Sequence, residues 1–323
     1  MKRPGTLRRV KKVTINEAAE LLRAQDNILL LTHVRPDGDT MGSAAALCYS
    51  LRLAGKTAYL YNNPQFVDNF PWIVEPYLAP TDFEPSFVVA VDLADKTLFP
   101  NGFDGEVDFC VDHHPSNTGY AKSTLVWPGK ASCGEVVMEL CKLISGRLDS
   151  TIADLLYIAV STDTGCFVYG NTTGETLFAA AELCEAGARN TILNKIFFRT
   201  STRARIKLEA LLLSDFRYYH DGKVVISVVS KEILEAASAA EKDCTDIAAL
   251  PGRVEGSVAS AVIKEVDPTH CKISVRTTGL VDANKVCARF GGGGHKMASG
   301  CMMDKNCFEA ADILAEIIGE QLK

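Results

Sequence analysis

Three apolar runs of strand length, each ending in acids or imidazoles, restrict this chain more than any other feature. Ile28-Leu29-Leu30-Leu31-Thr32 leads into His33, Phe87-Val88-Val89-Ala90-Val91 into Asp92, and Val107-Asp108-Phe109-Cys110-Val111 into Asp112-His113-His114. Near-continuous apolarity marks strands buried on both faces, as in a parallel sheet covered by helices. Helical patterns lie between the runs, the first from Met41 to Leu53 and stopping at Gly55. Successive βαβ units bring the carboxyl ends of their strands to one edge, where ligands bind in open α/β sheets. His33, Asp92 and Asp112-His113-His114 are therefore expected on one rim.

Two further segments supply the same chemistry. His33-Val34-Arg35-Pro36-Asp37-Gly38-Asp39 puts one imidazole and two carboxylates on a single strand-to-helix turn. Asp39 alone reads equally as a helix N-cap, and Asp37 or Asp92 as a turn residue. Neither reading accounts for His33. Gly38 is expected to give the backbone freedom to turn both acids inward. A helix from Thr151, with Ile152, Leu155, Leu156, Ala159 and Val160 on its apolar face, ends in Ser161-Thr162-Asp163-Thr164-Gly165. A carboxylate at a helix carboxyl end is disfavoured by the dipole unless a cation is near. Oxygen and imidazole donors without thiolates suit manganese or magnesium better than structural zinc.

Composition narrows the class. A chain of 323 residues suggests two domains, 47% apolar and 23% charged composition is ordinary for a globular protein, and a net charge of −6 opposes a generally basic nucleic-acid-coating surface. The 11 cysteines are scattered without a Cys-x-x-Cys pair, which reads as reduced thiols in a cytoplasmic protein. Lys2, Arg3, Arg8, Arg9, Lys11 and Lys12 read as a solvated basic tail, because Thr14-Ile15-Asn16-Glu17 follows as a capping box opening a helix to about Arg23. No run reaches the about 18 apolar residues of a membrane span.

Further capping signals at Ser132-Cys133-Gly134-Glu135 and Thr172-Thr173-Gly174-Glu175 open helices to about Ile144 and Ala186, completing a domain over 1–188. Residues 189–221 read as a basic helical linker. On it Arg199 and Arg203, four apart, either form a solvated face or look towards a phosphate chain. Residues 222–323 carry strand patterns at Val224–Val229, Gly256–Val266, Lys272–Thr277 and Met297–Met303, and helical ones at Lys231–Leu250, Asp282–Phe290 and Cys307–Leu322. The fold class is thus α/β, a mostly parallel sheet flanked by helices, with a smaller α+β carboxy-terminal domain and an active site in the cleft between them. The run Gly291-Gly292-Gly293-Gly294-His295 matches neither the P-loop nor the dinucleotide signature. It reads either as a flexible linker or as a backbone nest for a terminal phosphate, with Arg289 and His295 at its rim.

The ordered set His33-x-x-x-Asp37-x-Asp39, Asp92, Asp112-His113-His114 and Asp163-Thr164-Gly165 resembles the DHH phosphoesterase superfamily. Arg276 followed by Arg289-Phe290-Gly291-Gly292-Gly293-Gly294-His295 is similar to its DHH-associated carboxy-terminal domain. Length and arrangement resemble the bifunctional oligoribonuclease and 3'-phosphoadenosine 5'-phosphate (pAp) phosphatase group, whereas RecJ-type exonucleases are longer and family-II pyrophosphatases lack the glycine–histidine loop. The resemblance implies a cytoplasmic hydrolase, an exoribonuclease releasing mononucleotides. It implies two divalent cations, manganese foremost with magnesium or cobalt as alternatives, about 3.5 to 4 Å apart. His33, Asp37 and Asp92 would hold one, and Asp39, Asp92, His113 and Asp163 the other. His114, Asp92 and Asp112 are then the catalytic group, with His114 on the scissile phosphate and Asp112 orienting a neighbouring imidazole. Arg276, Arg289, Gly292, Gly293, Gly294, His295 and Asn117 fall to the substrate. The expected partners are short RNA or nucleotide phosphates, without membrane or stable long nucleic-acid complexes, and with a homodimer possible. Linear or cyclic signalling dinucleotides are the alternative substrate class.

Overall fold

The computed structural model describes residues 10–68, 70–245 and 247–322. The chain divides into two compact units between Thr200 and Ser201. The expected tail residues Lys2, Arg3, Arg8 and Arg9 lie outside the described residues. Lys11 and Lys12 are exposed but form an edge strand rather than a tail, a place where lysines discourage unwanted pairing.

In the first unit, β1 (Lys11–Lys12), β2 (Ile28–Leu31), β3 (Ala58–Leu60), β4 (Phe87–Val91), β5 (Phe109–Asp112) and β6 (Ser123–Val126) make a wholly parallel sheet in the order β1-β6-β5-β4-β2-β3. Chain direction across the sheet reverses between β2 and β4, the kind of switch point at which open α/β sheets bind ligands. The helices are α1 (Ile15–Arg23), α2 (Gly38–Leu53), α3 (Cys133–Ser145), α4 (Ser150–Asp163), α5 (Gly174–Glu185) and α6 (Asn190–Phe198). Alternation along the strands sorts the core. Ile28 and Leu30 face the large helical cluster with Leu47, Leu140 and Leu156, while Leu29 and Leu31 face a second cluster. That second face is covered by loop-borne aromatics, Phe99 standing edge-on to Phe103 and Tyr120 with ring centres 5.4 Å apart in each pair.

The basic stretch 189–221 is shared between the units rather than forming a separate linker. It contains α6, which ends before Arg199, and α7 (Arg203–Ser214), which Thr202 caps by accepting the Arg205 amide. Because residues 200–202 interrupt the helix, Arg199 and Arg203 do not share a helical face, and that expectation is corrected.

The second unit is a mixed sheet ordered β11-β12-β10-β9-β8-β7, built from β7 (Arg217–Tyr219), β8 (Val224–Val229), β9 (Ala259–Asp267), β10 (His270–Thr277), β11 (Gly293–Gly294) and β12 (Ala298–Met303). Its remaining helices are α8 (Lys231–Ala237), α9 (Ala283–Ala288) and α10 (Cys307–Glu320). Val224, Ile226 and Val228 bury one face with Val286, Leu314 and Ile318, whereas Val229 and Val262 bury the other with Leu208 and Leu212. The helix expected over Lys231–Leu250 stops at Ala237. Ser238 turns left-handed at φ +55°, and short 3-10 turns follow at Glu241–Cys244 and Ile247–Ala249. Asp243 stabilises the break by accepting the Ala240 amide at 2.9 Å and the Thr202 hydroxyl at 2.7 Å. All 11 cysteines are free thiols, eight of them buried. No helix among the described residues is long and apolar enough to cross a membrane.

Candidate metal centre

The carboxyl ends of β2, β4 and β5 and the end of α4 converge as the apolar runs required. His33 Nε2 lies 3.6 Å from Asp37 Oδ1 and 3.9 Å from Asp92 Oδ2. His113 Nε2 lies 3.5 Å from Asp92 Oδ1, 3.7 Å from Asp39 Oδ2 and 3.8 Å from Asp163 Oδ2. These separations are too long for good hydrogen bonds. Two donors bound to one ion at ordinary metal–ligand lengths stand about 3.0–3.5 Å apart, close to what is seen. Three overlapping triads result: His33, Asp37 and Asp92; Asp39, His113 and Asp163; and Asp92, His113 and His114.

Asp92 is the pivot. Its side chain is 4% exposed and its Oδ1 is buried without a hydrogen-bond partner among the described residues. An orphaned buried carboxylate oxygen costs free energy unless a cation meets it. Burial, and after it the negative charge of Asp39, Asp37, Asp112 and Asp163, pushes the Asp92 carboxyl well above the usual carboxylate range. Its backbone takes a left-handed φ of +59°, held because its amide donates to the Val111 carbonyl at 2.9 Å while Thr40 Oγ1 donates to the Val91 carbonyl at 3.0 Å. Strain of this kind persists where the surroundings enforce it and concentrates at functional sites. Four carboxylates, Asp37, Asp39, Asp92 and Asp163, carry the charge that two divalent cations would neutralise. The donor set therefore fits the metals that the sequence implies.

Each remaining side chain is positioned by a group of its own. Asp37 caps α2 by accepting the Thr40 amide at 3.1 Å, so Asp37 and not Asp39 is the N-cap. Asp39, 2% exposed, accepts the amides of Cys133 at 2.7 Å and Gly134 at 2.9 Å from the first turn of α3, together with Ser43 Oγ at 3.0 Å. Burial, with the charges of Asp163 and Asp37 adding to it, still raises its carboxyl well above the ordinary range. Gly38 serves differently from expectation. It lies within α2 at an ordinary negative φ, and a Cβ there would stand 2.3 Å from Thr162 Oγ1. It is glycine because α2 and α4 must meet at that point, which brings Asp39 and Asp163 together.

The paired imidazoles have distinct surroundings. His113 Nδ1 donates to the Lys130 carbonyl at 3.0 Å, which fixes the tautomer and turns the Nε2 lone pair to the carboxylates. His114 Nδ1 bonds Asp112 Oδ1 at 2.7 Å, and its side chain is 43% exposed. Asp112, fully buried, also accepts the His113 and His114 amides at 2.7 and 3.1 Å. Burial works to raise its carboxyl, but the His114 and Asn117 hydrogen bonds outweigh it and hold it low; the same Asp112 bond raises the His114 pKa. Asn117 departs from expectation. Its Nδ2 donates to Asp112 Oδ2 at 2.6 Å and its Oδ1 accepts the Gly119 amide at 2.9 Å, so its amide is committed to this loop rather than to substrate.

In the second unit the glycine run is neither a free linker nor an open nest. Gly293 and Gly294 pair with Gly300 and Ser299 as β11. The amides of Gly291, Gly292 and His295 donate to the carbonyls of Ala288, Cys287 and Ala298, and that of Gly294 to Asn284 Oδ1 at 3.1 Å. A Cβ on Gly292 would stand 2.3 Å from the Gly300 carbonyl oxygen, so close strand approach demands glycine there. Arg276 lies opposite Ala298 in the strand register, and the backbone of Ala298 closes a turn with His295. Arg289 is bound to Glu320 at 2.5 Å.

The Lys130 carbonyl and the Cys133 and Gly134 amides were not expected at the site. The capping signal at Ser132 located the α3 amino terminus, where Ser132 accepts the Glu135 amide while the Glu135 carboxylate takes the Ala131 amide, but nothing local revealed that the Cys133 and Gly134 amides face Asp39.

A model of the DHH family amino-terminal domain matches residues 27–160, and a model of the DHHA1 domain matches residues 221–320. The bifunctional oligoribonuclease and PAP phosphatase NrnA of Thermus thermophilus is 31% identical over 94% of this chain and 93% of its own. The Bacillus subtilis protein of the same name is 27% identical over 92% and 96%. The crystal structure of an exopolyphosphatase-related protein from Bacteroides fragilis superposes with a TM-score of 0.81 at 23% identity, covering 95% of each chain, which speaks for the fold. With both domain models in order along the chain, and a relative alike over nearly its whole length, the protein belongs to the DHH phosphoesterase family.

Proposed function

We propose that this phosphoesterase hydrolyses short oligoribonucleotides to mononucleotides and removes the 3'-phosphate of pAp, using two divalent cations, manganese foremost. One observation carries the reading: two of the three overlapping ligand triads share Asp92, whose buried Oδ1 has no hydrogen-bond partner among the described residues. The names of the NrnA relatives support the substrate class. His33, Asp37 and Asp92 hold one cation and Asp39, Asp92, His113 and Asp163 the other. When bound, the pair supplies an activated water and offsets charge developing on the phosphoryl group.

The chain's own groups do the rest. Asp112 orients His114 through Nδ1 and favours its protonated form, in which Nε2–H donates to a phosphate oxygen or to the leaving oxygen. The Lys130 carbonyl holds His113 in the ligating tautomer. Asn117 keeps the second Asp112 oxygen satisfied. Arg276, Arg289 and His295 of the second unit serve as donors to a further substrate phosphate, with Gly292–Gly294 a side-chain-free surface beside them.

The test is a substrate panel with manganese or magnesium: short RNA, pAp, a linear dinucleotide, a cyclic dinucleotide and pyrophosphate. Release of mononucleotides from short RNA and of phosphate from pAp is expected. Preference for the dinucleotides moves the substrate class to signalling nucleotides, and hydrolysis of pyrophosphate alone refutes the proposal.

A further inference from the structure

The segment between Asp163 and α5 is held in an unusual shape. Gly165, Cys166 and Phe167 take left-handed φ values in succession, +56°, +58° and +67°. Two of the three carry side chains, for which this conformation persists only under constraint. The constraint is visible. The carbonyl of buried Thr164 accepts the Val168 and Tyr169 amides, each at 3.0 Å, and its hydroxyl accepts the Phe167 amide at 3.2 Å. The Cys166 amide reaches the Ser161 carbonyl at 2.7 Å. Asn171 Nδ2 donates to the carbonyls of Asp163 at 3.1 Å and Ala131 at 3.0 Å, tying the segment to a metal-ligand candidate and to the neighbour of Lys130.

This turn sends Phe167 inward beside Tyr157 and leaves Tyr169 57% exposed. A Cβ built on Gly165 would stand 2.4, 2.5 and 2.7 Å from Tyr169 Cζ, Cε1 and Cε2. Near-equal distances to three adjacent ring atoms place Gly165 beneath the ring face, not beyond its edge. One face of the tyrosine therefore lies on backbone two residues from Asp163, and the exposed remainder of the ring is turned outward. Core packing gives no reason to hold an aromatic ring open in this way.

We propose that Tyr169 is a base-stacking residue of the site, its outer face receiving the nucleobase of the nucleotide whose phosphate lies at the Asp92 cluster. The assignment rests on the nucleotide phosphoesterase reading. Stacking tolerates every base because each has a π face, so Tyr169 selects for the presence of a base rather than its identity.

Full-length protein with manganese is assayed on a 5'-phosphorylated dinucleotide and on its abasic counterparts, each base removed in turn. Tyr169→Ala is expected to raise KM for the base-bearing substrate about tenfold with kcat little changed, to leave an abasic substrate unaffected, and to be rescued by Tyr169→Phe. A non-hydrolysable dinucleotide carrying 2-aminopurine gives a second readout: fluorescence quenched on the wild type and the Phe variant and not on the Ala variant. Unchanged KM and quenching in Tyr169→Ala, or equal losses on base-bearing and abasic substrates, overturn the stacking role while wild-type cleavage keeps the phosphoesterase reading. A wild type that cleaves neither substrate removes both.

Discussion

Asparagine at position 92 should make the metal-free protein more stable and the metal-loaded protein less stable than the wild type. The wild-type carboxylate sits buried among Asp39, Asp37, Asp112 and Asp163, which together with burial raise its pKa. Asparagine keeps the shape, loses the charge and tolerates the left-handed φ of +59°. A like charge about 4 Å away costs ~1 kcal/mol in water and ~4 kcal/mol at an effective dielectric of 20. Since the wild-type group can escape part of that cost by taking up a proton, a gain of about 1–2 kcal/mol is expected. At about 2–4 °C per kcal/mol for a unit of this size, the melting temperature in EDTA rises by roughly 2–8 °C.

With manganese at a hundred times its Kd the order reverses. The wild type gains about 2.7 kcal/mol by linkage, or roughly 5–11 °C. Asp92→Asn removes an anionic oxygen from two of the three triads. Weakening affinity by about 100-fold, the upper cost of losing even an outer-shell partner, leaves roughly 0.4 kcal/mol at the same metal concentration. Differential scanning calorimetry in EDTA and in manganese reads both halves. A variant that melts below the wild type in EDTA, or that manganese stabilises as much as the wild type, refutes the role assigned to Asp92.

Other substitutions test the supporting groups. Asn117→Ala leaves a buried Asp112 oxygen without its 2.6 Å donor, costing about 1–3 kcal/mol. It should lower kcat with KM unchanged, whereas a raised KM would return Asn117 to the substrate. Gly38→Ala drives a methyl into Thr162, so manganese affinity by calorimetric titration should fall at least about tenfold, and Gly38→Ala with Thr162→Ala should recover part of it. Arg289→Ala should raise KM for short RNA while shifting the melting temperature little, because its exposed pair with Glu320 contributes about 0–1 kcal/mol. Glu320→Gln, which releases the guanidinium, should lower KM, and an unchanged KM in both variants removes Arg289 from substrate binding.

The sequence disclosed the site's first layer because strand direction alone determines it. Parallel strands ending in His33, Asp92 and Asp112 must share a rim, and the observed register places them there. The helix start at Thr14 was legible for the same reason, since capping chemistry is local, whereas the cap read over Thr172–Glu175 forms one residue later, between Thr173 and Thr176. What stayed hidden depends on approach between segments far apart in the chain. Gly38 looked like a hinge, but its need arises from Thr162, 124 positions later. The glycine run looked like a nest or a linker until β12 took up its hydrogen-bonding capacity. Asn117 looked like a substrate ligand because nothing local shows that Asp112, with one oxygen on the His114 ring, requires a donor for the other.

These three cases argue for a division of labour that spacing cannot express. Metal ligands need only the right atoms at the end of a strand, and a motif records that. The groups that hold those ligands in one rotamer or tautomer are defined by contacts, and backbone can supply them. The Lys130 carbonyl on His113 and the Cys133 and Gly134 amides on Asp39 would survive substitution of every side chain that carries them, provided the backbone path is kept. A site built this way tolerates sequence change in its supports while its six ligand candidates stay exacting, so their order along the chain is the part of the centre most plainly written in the sequence.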